Sequence, residues 1–180
     1  MKEFDLIPLI SEFNVEVFPN NSSYDKNLED IVDKIWEKEM RENGALLHNG
    51  SILSLQSFDG NTFYFEITQY KYFIAQLRQP ELIKQINILP IGVTGITTAG
   101  EFILIGKRSN FVSMNPNQYE LAPAGSLDAN KSIYQQVLNE LEEEIGIPKQ
   151  EVLKITPIAL VKDLKQNYAE IVHNIELLPD

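Results

Sequence analysis

Hydrophobic residues in the first part of the chain recur with two periods, one typical of strands and one typical of helices. Alternation over residues 13–18 predicts a short strand. From about residue 24 to 41 apolar residues recur at helical spacing, and Asn43 followed by Gly44 predicts the end of that helix. Its apolar positions are Leu28, Ile31, Val32, Ile35, Trp36 and Met40. At this spacing we expect Trp36 to belong to the core rather than to stack on a ligand.

The next pattern is a hairpin followed by a helix. Strand-like residues 52–58 and 62–68 flank the Asp-Gly-Asn sequence of residues 59–61, which is a turn signal. Residues 70–86 have helical character. Pro80 either opens a second short helix there or kinks the first, because proline disrupts a helix interior.

A second hairpin pattern begins after residue 89, with strand-like residues 91–98 and 101–108 on either side of an Ala-Gly turn. A loop rich in Pro and Asn, residues 110–118, follows it. Two further strands are predicted at about residues 155–162 and 168–177. Helices and strands of this order predict an α+β fold.

The amino-acid composition and net charge exclude several classes of function. A chain of 180 residues with 43% hydrophobic content can bury a substantial core, as one domain or one domain with an elaborated N-terminal part. A net charge of −11 argues against nucleic acid or an anionic membrane as the main partner. The absence of cysteine excludes disulfides and thiolate metal sites. Without a signal-like N-terminus or a run of roughly 18 apolar residues, we expect a cytoplasmic protein.

Residues 125–147, which we call the box, lead from a glycine turn into a helix that clusters acids beside an apolar side. At about 100° per residue, Glu140, Glu143 and Glu144 lie next to one another on that helix. The adjoining apolar side consists of Val137, Leu141 and Ile145. Carboxylates three and four residues apart repel each other by a few tenths of a kcal/mol per pair, so their clustering suggests a bound cation.

In this stretch the chain resembles the Nudix hydrolases, whose signature places a glycine, spaced acids, a glycine and an aliphatic residue in a fixed register. The matching positions are Gly125, Glu140, Leu141, Glu143, Glu144, Gly146 and Ile147. Two positions depart from the signature: Lys131 replaces its first Glu, and Asn139 replaces its Arg. Residues 119–125, YELAPAG, also resemble the segment that precedes the box in the family.

The resemblance implies a Nudix-type α/β/α sandwich with a mixed sheet over residues 89–180, preceded by an N-terminal α/β extension over residues 1–88. The chain ends directly after its last predicted strand, whereas the family usually continues with another helix. We therefore expect the Nudix domain to be truncated at its C-terminus.

The resemblance also implies the chemistry. Glu140, Glu143 and Glu144 are the expected metal ligands and catalytic residues, with Mg²⁺ as the cofactor and Mn²⁺ as its substitute, and a backbone carbonyl near residues 124–125 often adds an oxygen. Hard cations of this kind prefer carboxylate and phosphate oxygens. In the family the departing positions mostly orient the metal-binding acids. Asn139→Arg alone is then expected to raise the rate or leave it unchanged.

Other candidate site residues lie outside the box. Arg108 is the predicted substrate-binding residue, since a guanidinium can bind two phosphate oxygens, although a surface ion pair is the alternative. In a regular strand Lys107 points to the other face. Glu170 is a candidate general base, against an ordinary charge on a strand face. His48 and His173 are isolated, and we expect both to be structural or surface residues.

The leading functional hypothesis is metal-dependent hydrolysis of a diphosphate linkage in a nucleoside diphosphate derivative. The order of motifs along the chain is similar to the Nudix branch that cleaves UDP-glucose and UDP-galactose, which favours a UDP-sugar over ADP-ribose or a dinucleotide polyphosphate. The rival is a catalytically weak Nudix-fold module that binds a nucleotide or a protein. The sequence leaves open whether the protein forms a homodimer.

Overall fold

The structure is a computed structural model that describes residues 3–10, 12–19, 23–43, 47–110 and 116–179. It confirms the predicted α+β class. In chain order the elements are β1 (Phe4–Pro8), β2 (Asn14–Phe18), α1 (Lys26–Asn43), β3 (Ser51–Phe58), β4 (Thr62–Gln69), α2 (Tyr70–Arg78), a 3₁₀ helix (Pro80–Lys84), β5 (Ile91–Ala99), β6 (Phe102–Ile103), β7 (Ile105–Lys107), β8 (Tyr119–Leu121), β9 (Ala124–Ser126), α3 (Ile133–Glu140), a π-helical turn (Leu141–Ile145), a 3₁₀ turn (Lys149–Glu151), β10 (Val152–Asp163) and β11 (Tyr168–Leu177).

The chain divides into two compact units. One consists of Asn14–Pro90, and the other of Met1–Phe13 together with Ile91–Asp180; we call them the 14–90 unit and the box unit. The sequence predicted one N-terminal extension over residues 1–88, whereas Met1–Phe13 group with the box unit in the structure. They belong with the box unit because β1 pairs antiparallel with β10, with Phe4 opposite Asp163.

The 14–90 unit contains a three-stranded sheet in the order β2-β4-β3 and the helices α1 and α2. β2 runs parallel to β4, and β3 runs antiparallel to it. Of the two alternatives for Pro80, the structure has the second short helix, because α2 ends at Arg78 and a 3₁₀ helix follows. Gly44, the predicted stop for α1, lies outside the described residues.

The apolar side of α1 packs against α2, as its periodicity predicts. Leu28 and Val32 are buried in one cluster with Phe73, and Trp36 packs against that cluster with its ring edge-on to Tyr70. The predicted apolar stripe fails at its C-terminal end, where Met40 is 39% exposed. Glu39 is buried there instead.

Glu39 is buried at the end of α1, with only 5% of its surface exposed. The guanidinium of Arg78 donates two hydrogen bonds to this carboxylate, from Nε at 2.7 Å and from the second amino nitrogen at 2.9 Å. A bidentate pair of this kind offsets much of the cost of burying the charge. The polar residue therefore faces the helix partner, and Met40 turns outward.

In the box unit the main sheet has the order β1-β10-β11-β5-β6, and β9 pairs with β5 beside β6. β11 runs parallel to β5, while the other neighbours are antiparallel. The sheet is therefore mixed. Its central strands carry the fully buried side chains of Ile91, Val93, Leu160 and Ile171, which form the core under the box.

The strand predicted over residues 101–108 is interrupted at Leu104. β6 pairs with β5 as the expected hairpin, but β7 leaves that sheet and pairs with β8. The hairpin prediction is confirmed only for its first half. Residues 111–115 of the predicted loop lie outside the described residues.

Within the described ranges, no helix is both long enough and apolar enough to cross a membrane.

Candidate functional site

The helix of the box begins at a capped N-terminus. The hydroxyl of Ser132 accepts a hydrogen bond from the backbone N–H of Gln135 at 3.2 Å, which satisfies one of the free N–H groups of the first turn. α3 ends at Glu140 and continues as a π-helical turn to Ile145. Gly146 follows with a φ of 75°, a left-handed conformation that glycine adopts without strain.

The helix is therefore not one regular α-helix, as the sequence analysis assumed, but its apolar side is predicted correctly. Val137 and Leu141 are fully buried. Ile145 is half-buried. A π turn widens the helix where the acids occur, and such turns are often found at functional sites.

Glu140 lies directly over the backbone of Gly125 in β9. A Cβ at position 125 would overlap the Glu140 carboxylate, so any other residue there would require that side chain to move. On its other side Glu140 accepts a hydrogen bond at its Oε1 from the buried side-chain amide of Gln136, at 2.6 Å. The glycine that opens the box and its first acid are therefore adjacent in space.

Glu144 makes the second contact between the helix and β9. Its Oε2 accepts a hydrogen bond at 2.9 Å from the backbone N–H of Ala124. Glu143 is exposed beside it. The side chains of Glu140 and Glu144 therefore both contact β9, whereas Glu143 is exposed to solvent.

Electrostatics distinguishes these acids from ordinary surface glutamates. Burial raises the pKa of Glu140, and the charges of Glu144 and Glu143 act in the same direction, while the bond from Gln136 lowers it. Glu144 is exposed overall, but its carboxylate end lies against β9, and that partial burial raises its pKa despite the Ala124 hydrogen bond. The negative charges are only partly compensated by protein groups.

Arg108 directly follows β7 and lies near these acids. Its guanidinium donates to Glu120 of β8 at 2.6 Å, and its charge lowers the pKa of Glu144. The ion pair that the sequence analysis kept as the alternative is present. Lys107 has a different environment, with its ammonium 5.9 Å from the ring centre of Tyr119. The two cations therefore have different neighbours, as predicted for consecutive residues.

Glu170, the candidate base, is half-buried in β11 opposite Gly92 of β5. Burial raises the pKa of Glu170, and the charge of Glu120 adds to that rise, whereas the charge of Arg108 lowers it. Its electrostatic coupling to Glu120 and Arg108 connects β11 with the β7–β8 pair.

Tyr168 is a residue that sequence reasoning missed. Its hydroxyl lies against Gly92, where a Cβ would overlap it, and burial raises the pKa of this phenol. The charges of Glu170 and Glu140 act on it in the same direction. A detectable signal was its spacing two residues before Glu170, which places both side chains on one face of a strand.

The two residues that depart from the signature contact each other. With the Asn139 amide oriented so that both its ends have partners, its oxygen accepts from Lys131 Nζ at 2.8 Å and its nitrogen donates to the carbonyl of Gln135 at 3.2 Å. The positive charge of Lys131 also lowers the pKa of Glu140.

The carboxylates present the hard oxygen ligands that Mg²⁺ and Mn²⁺ prefer. Within the part of the chain that the structure describes, no three Asp, Glu, His or Cys side chains converge closely enough to enclose an ion. Glu140 and Glu144 each accept a hydrogen bond from a separate N–H donor, the Gln136 side chain and the Ala124 backbone. Each of those hydrogen bonds uses one named oxygen of its carboxylate, Oε1 of Glu140 and Oε2 of Glu144.

Compared with models of known families and with curated proteins, the chain matches no family model and no curated protein at a significant level.

Proposed function

We propose that this chain is a Nudix-type hydrolase that uses Mg²⁺, or Mn²⁺ in its place, to cleave the diphosphate linkage of a nucleoside diphosphate derivative. The observation that supports this most strongly is the contact between the two ends of the box. Gly125 has no side chain where the Glu140 carboxylate lies, and Ala124 binds Glu144. These contacts between β9 and two glutamates of the following helix offer a geometric explanation for the spacing of the glycine and the acids in the signature.

A divalent ion bound by Glu140, Glu143 and Glu144 would neutralise phosphate charge and lower the pKa of a water molecule. The fit rests on the donor set and on the partly compensated negative charge, since burial and mutual repulsion raise the pKa values of Glu140 and Glu144. Groups of this kind are a frequent property of functional sites.

The remaining residues supply binding and proton transfer. Arg108 binds the diphosphate by exchanging its contact with Glu120 for phosphate oxygens, which a guanidinium can bind in pairs. Glu170 accepts the proton of the attacking water, because its raised pKa brings it closer to neutral pH than an ordinary glutamate. Tyr168, which interacts electrostatically with Glu170 and Glu140, positions the water or the phosphate through its hydroxyl.

The favoured substrate is a UDP-sugar, with ADP-ribose and dinucleotide polyphosphates as the alternatives. This choice rests on the order of motifs along the chain, so it is the part of the proposal that the assay must decide. The products would be UMP and a sugar phosphate.

A hydrolysis screen tests the proposal. Purified protein is incubated with each substrate class and Mg²⁺ or Mn²⁺, and released UMP, AMP and phosphate are measured after coupling to a phosphatase. Glu144→Gln should lower turnover by at least about 100-fold, since removing a direct ligand should cost no less than the largest losses seen for outer-shell partners.

The matched control is Glu142→Gln. Glu142 is an exposed glutamate in the same helical turn, between the apolar Leu141 and Glu143, and it is not a signature position. It changes the net charge equally and should retain turnover within about twofold. Equal losses in the two variants would contradict the assignment of Glu144.

The second candidate is a catalytically weak module of the same fold that binds a nucleotide. Two observations favour it: Arg108 is already paired with Glu120, and the described acids do not converge on one point. In that case the screen shows no turnover, while a UDP-sugar still raises the melting temperature through binding.

A further inference from the structure

Two residues of the box, Lys131 and Asn139, differ from the signature in their charge. Lys131 stands where an acid is expected and Asn139 where a cation is expected, so the positive group has changed sides. With the Asn139 amide in the orientation described above, the Lys131 ammonium donates to its side-chain oxygen at 2.8 Å. The two departing positions are therefore in contact with each other.

The contact bridges two parts of the box. Lys131 belongs to the segment before α3, where its backbone N–H donates to the carbonyl of Asp128 at 3.2 Å. Asn139 is in the last turn of α3, immediately before Glu140, and its amide is fixed from the other side by the carbonyl of Gln135 at 3.2 Å. The ammonium is also close enough to Glu140 to stabilise its negative charge.

We propose that Lys131 and Asn139 form one interdependent positioning pair that holds the segment before α3 against the helix and fixes the place of Glu140. For its effect on catalysis the inference rests on the proposed function. It reverses the sequence-based expectation for Asn139→Arg, because a guanidinium at position 139 would face the Lys131 ammonium and remove the oxygen that binds it. Like charges this close repel each other.

Lys131→Glu alone should also be harmful. The new carboxylate loses the bond to the Asn139 oxygen and adds a negative charge beside Glu140, whose own charge is already poorly compensated. The double substitution Lys131→Glu with Asn139→Arg restores an attractive pair, now between a carboxylate and a guanidinium. The two positions should therefore tolerate a joint exchange better than either single one.

A double-mutant cycle tests this. We expect each single variant to lower kcat/KM by about 10- to 100-fold, the usual effect of removing an outer-shell partner, and the double variant to return to within about tenfold of the wild type. The loss should appear in kcat and in the Mn²⁺ dissociation constant measured by electron paramagnetic resonance, with little change in KM. Lys131→Arg, which keeps the charge and the donor, should stay near the wild type.

The control is Lys154→Glu combined with Asn139→Arg. Lys154 is exposed in β10, and this variant has the same net charge as the double exchange but leaves Lys131 in place. It should not rescue activity. Rescue by this variant, or single effects that multiply in the double variant, would overturn the inference.

The design also separates this inference from the proposed function. If the wild type hydrolyses no diphosphate, the proposed function fails, and the cycle is then evaluated on Mn²⁺ affinity and on the unfolding midpoint. Coupling between the two positions in those quantities supports the pair, and independent effects reject it.

Discussion

Glu39 in the 14–90 unit and Glu140 in the box unit are both glutamates near the C-terminal end of a helix, but their pKa values move in opposite directions. Hydrogen bonds from Arg78 lower the pKa of Glu39 although it is more deeply buried, with 5% of its surface exposed. Burial raises the pKa of Glu140, whose hydrogen bond comes from the neutral amide of Gln136. The two glutamates differ in their hydrogen-bond partners, a charged guanidinium for Glu39 and a neutral amide for Glu140.

The comparison separates a charge that stabilises the fold from charges whose burial costs free energy. The Glu39–Arg78 pair joins α1 to α2 and is satisfied by two hydrogen bonds. Glu140, Glu144 and Glu170 all have raised pKa values, with burial as the largest cause. A neutral residue would be more stable at those positions, and such local costs are typical of functional sites.

The largest change in the free energy of unfolding should come from loss of the apolar packing beneath the box helix. Leu141 is fully buried between the acids. Leu141→Ala should lower the free energy of unfolding by about 2 to 5 kcal/mol, because it leaves a cavity under the helix. Chemical denaturation followed by circular dichroism measures it. A change below about 1 kcal/mol would mean that the acids, not the apolar side, anchor the helix.

The next effect concerns His173, a buried titratable group of the box unit that is 2% exposed. Burial lowers its pKa to about 4. Because the unfolded chain binds the proton at about pH 6.5, stability present above that pH is lost as the pH falls toward 4, by about 3 kcal/mol. His173→Gln should remove this part of the pH dependence, whereas the exposed His48 substituted in the same way should not.

A smaller effect is expected from Arg78→Met, which leaves the Glu39 carboxylate buried without its partner. Breaking a buried pair costs about 3 to 5 kcal/mol, and because the Arg78 side chain is 42% exposed we expect about 2 kcal/mol. Trp36 is the single tryptophan of the sequence and lies in this unit, so its fluorescence follows the unfolding of the unit. Lys34→Met, at an exposed position of α1, is the control.

The smallest effect has the opposite sign and tests the comparison directly. Glu140→Gln removes a charge whose pKa is raised by burial and by repulsion from Glu144 and Glu143. Relief of the repulsion should increase the unfolding free energy by a few tenths of a kcal/mol. Thermal unfolding at pH 7 without divalent ions measures it. A clear loss of stability would mean that the Glu140 charge stabilises the fold, as the Glu39 charge does.

Local periodicity was enough to predict most of the elements and the buried side of the box helix. Helical spacing predicted α1 and the burial of Val137 and Leu141, and turn residues predicted the hairpins at residues 59–61 and 99–100. These features depend on residues a few positions apart. The sequence carries them without reference to the rest of the chain.

The placement of Glu140 and Glu144 on one side of the helix also follows from spacing, but their environment does not. Only the tertiary structure places Glu140 over Gly125, couples Tyr168 to Glu140, and couples Glu170 to Glu120 and Arg108. Residues on different strands meet through sheet pairing, which no local period encodes.

The same reason explains what sequence reasoning missed. β1 joins β10 across a separation of roughly 150 residues, because an open sheet edge accepts any strand whose register fits. Lys131 and Asn139 are eight positions apart, and only the chain's turn into α3 brings their side chains together. Composition and period determined which residues could form elements and carry charge, while the pairing of distant backbone decided which of those charges meet.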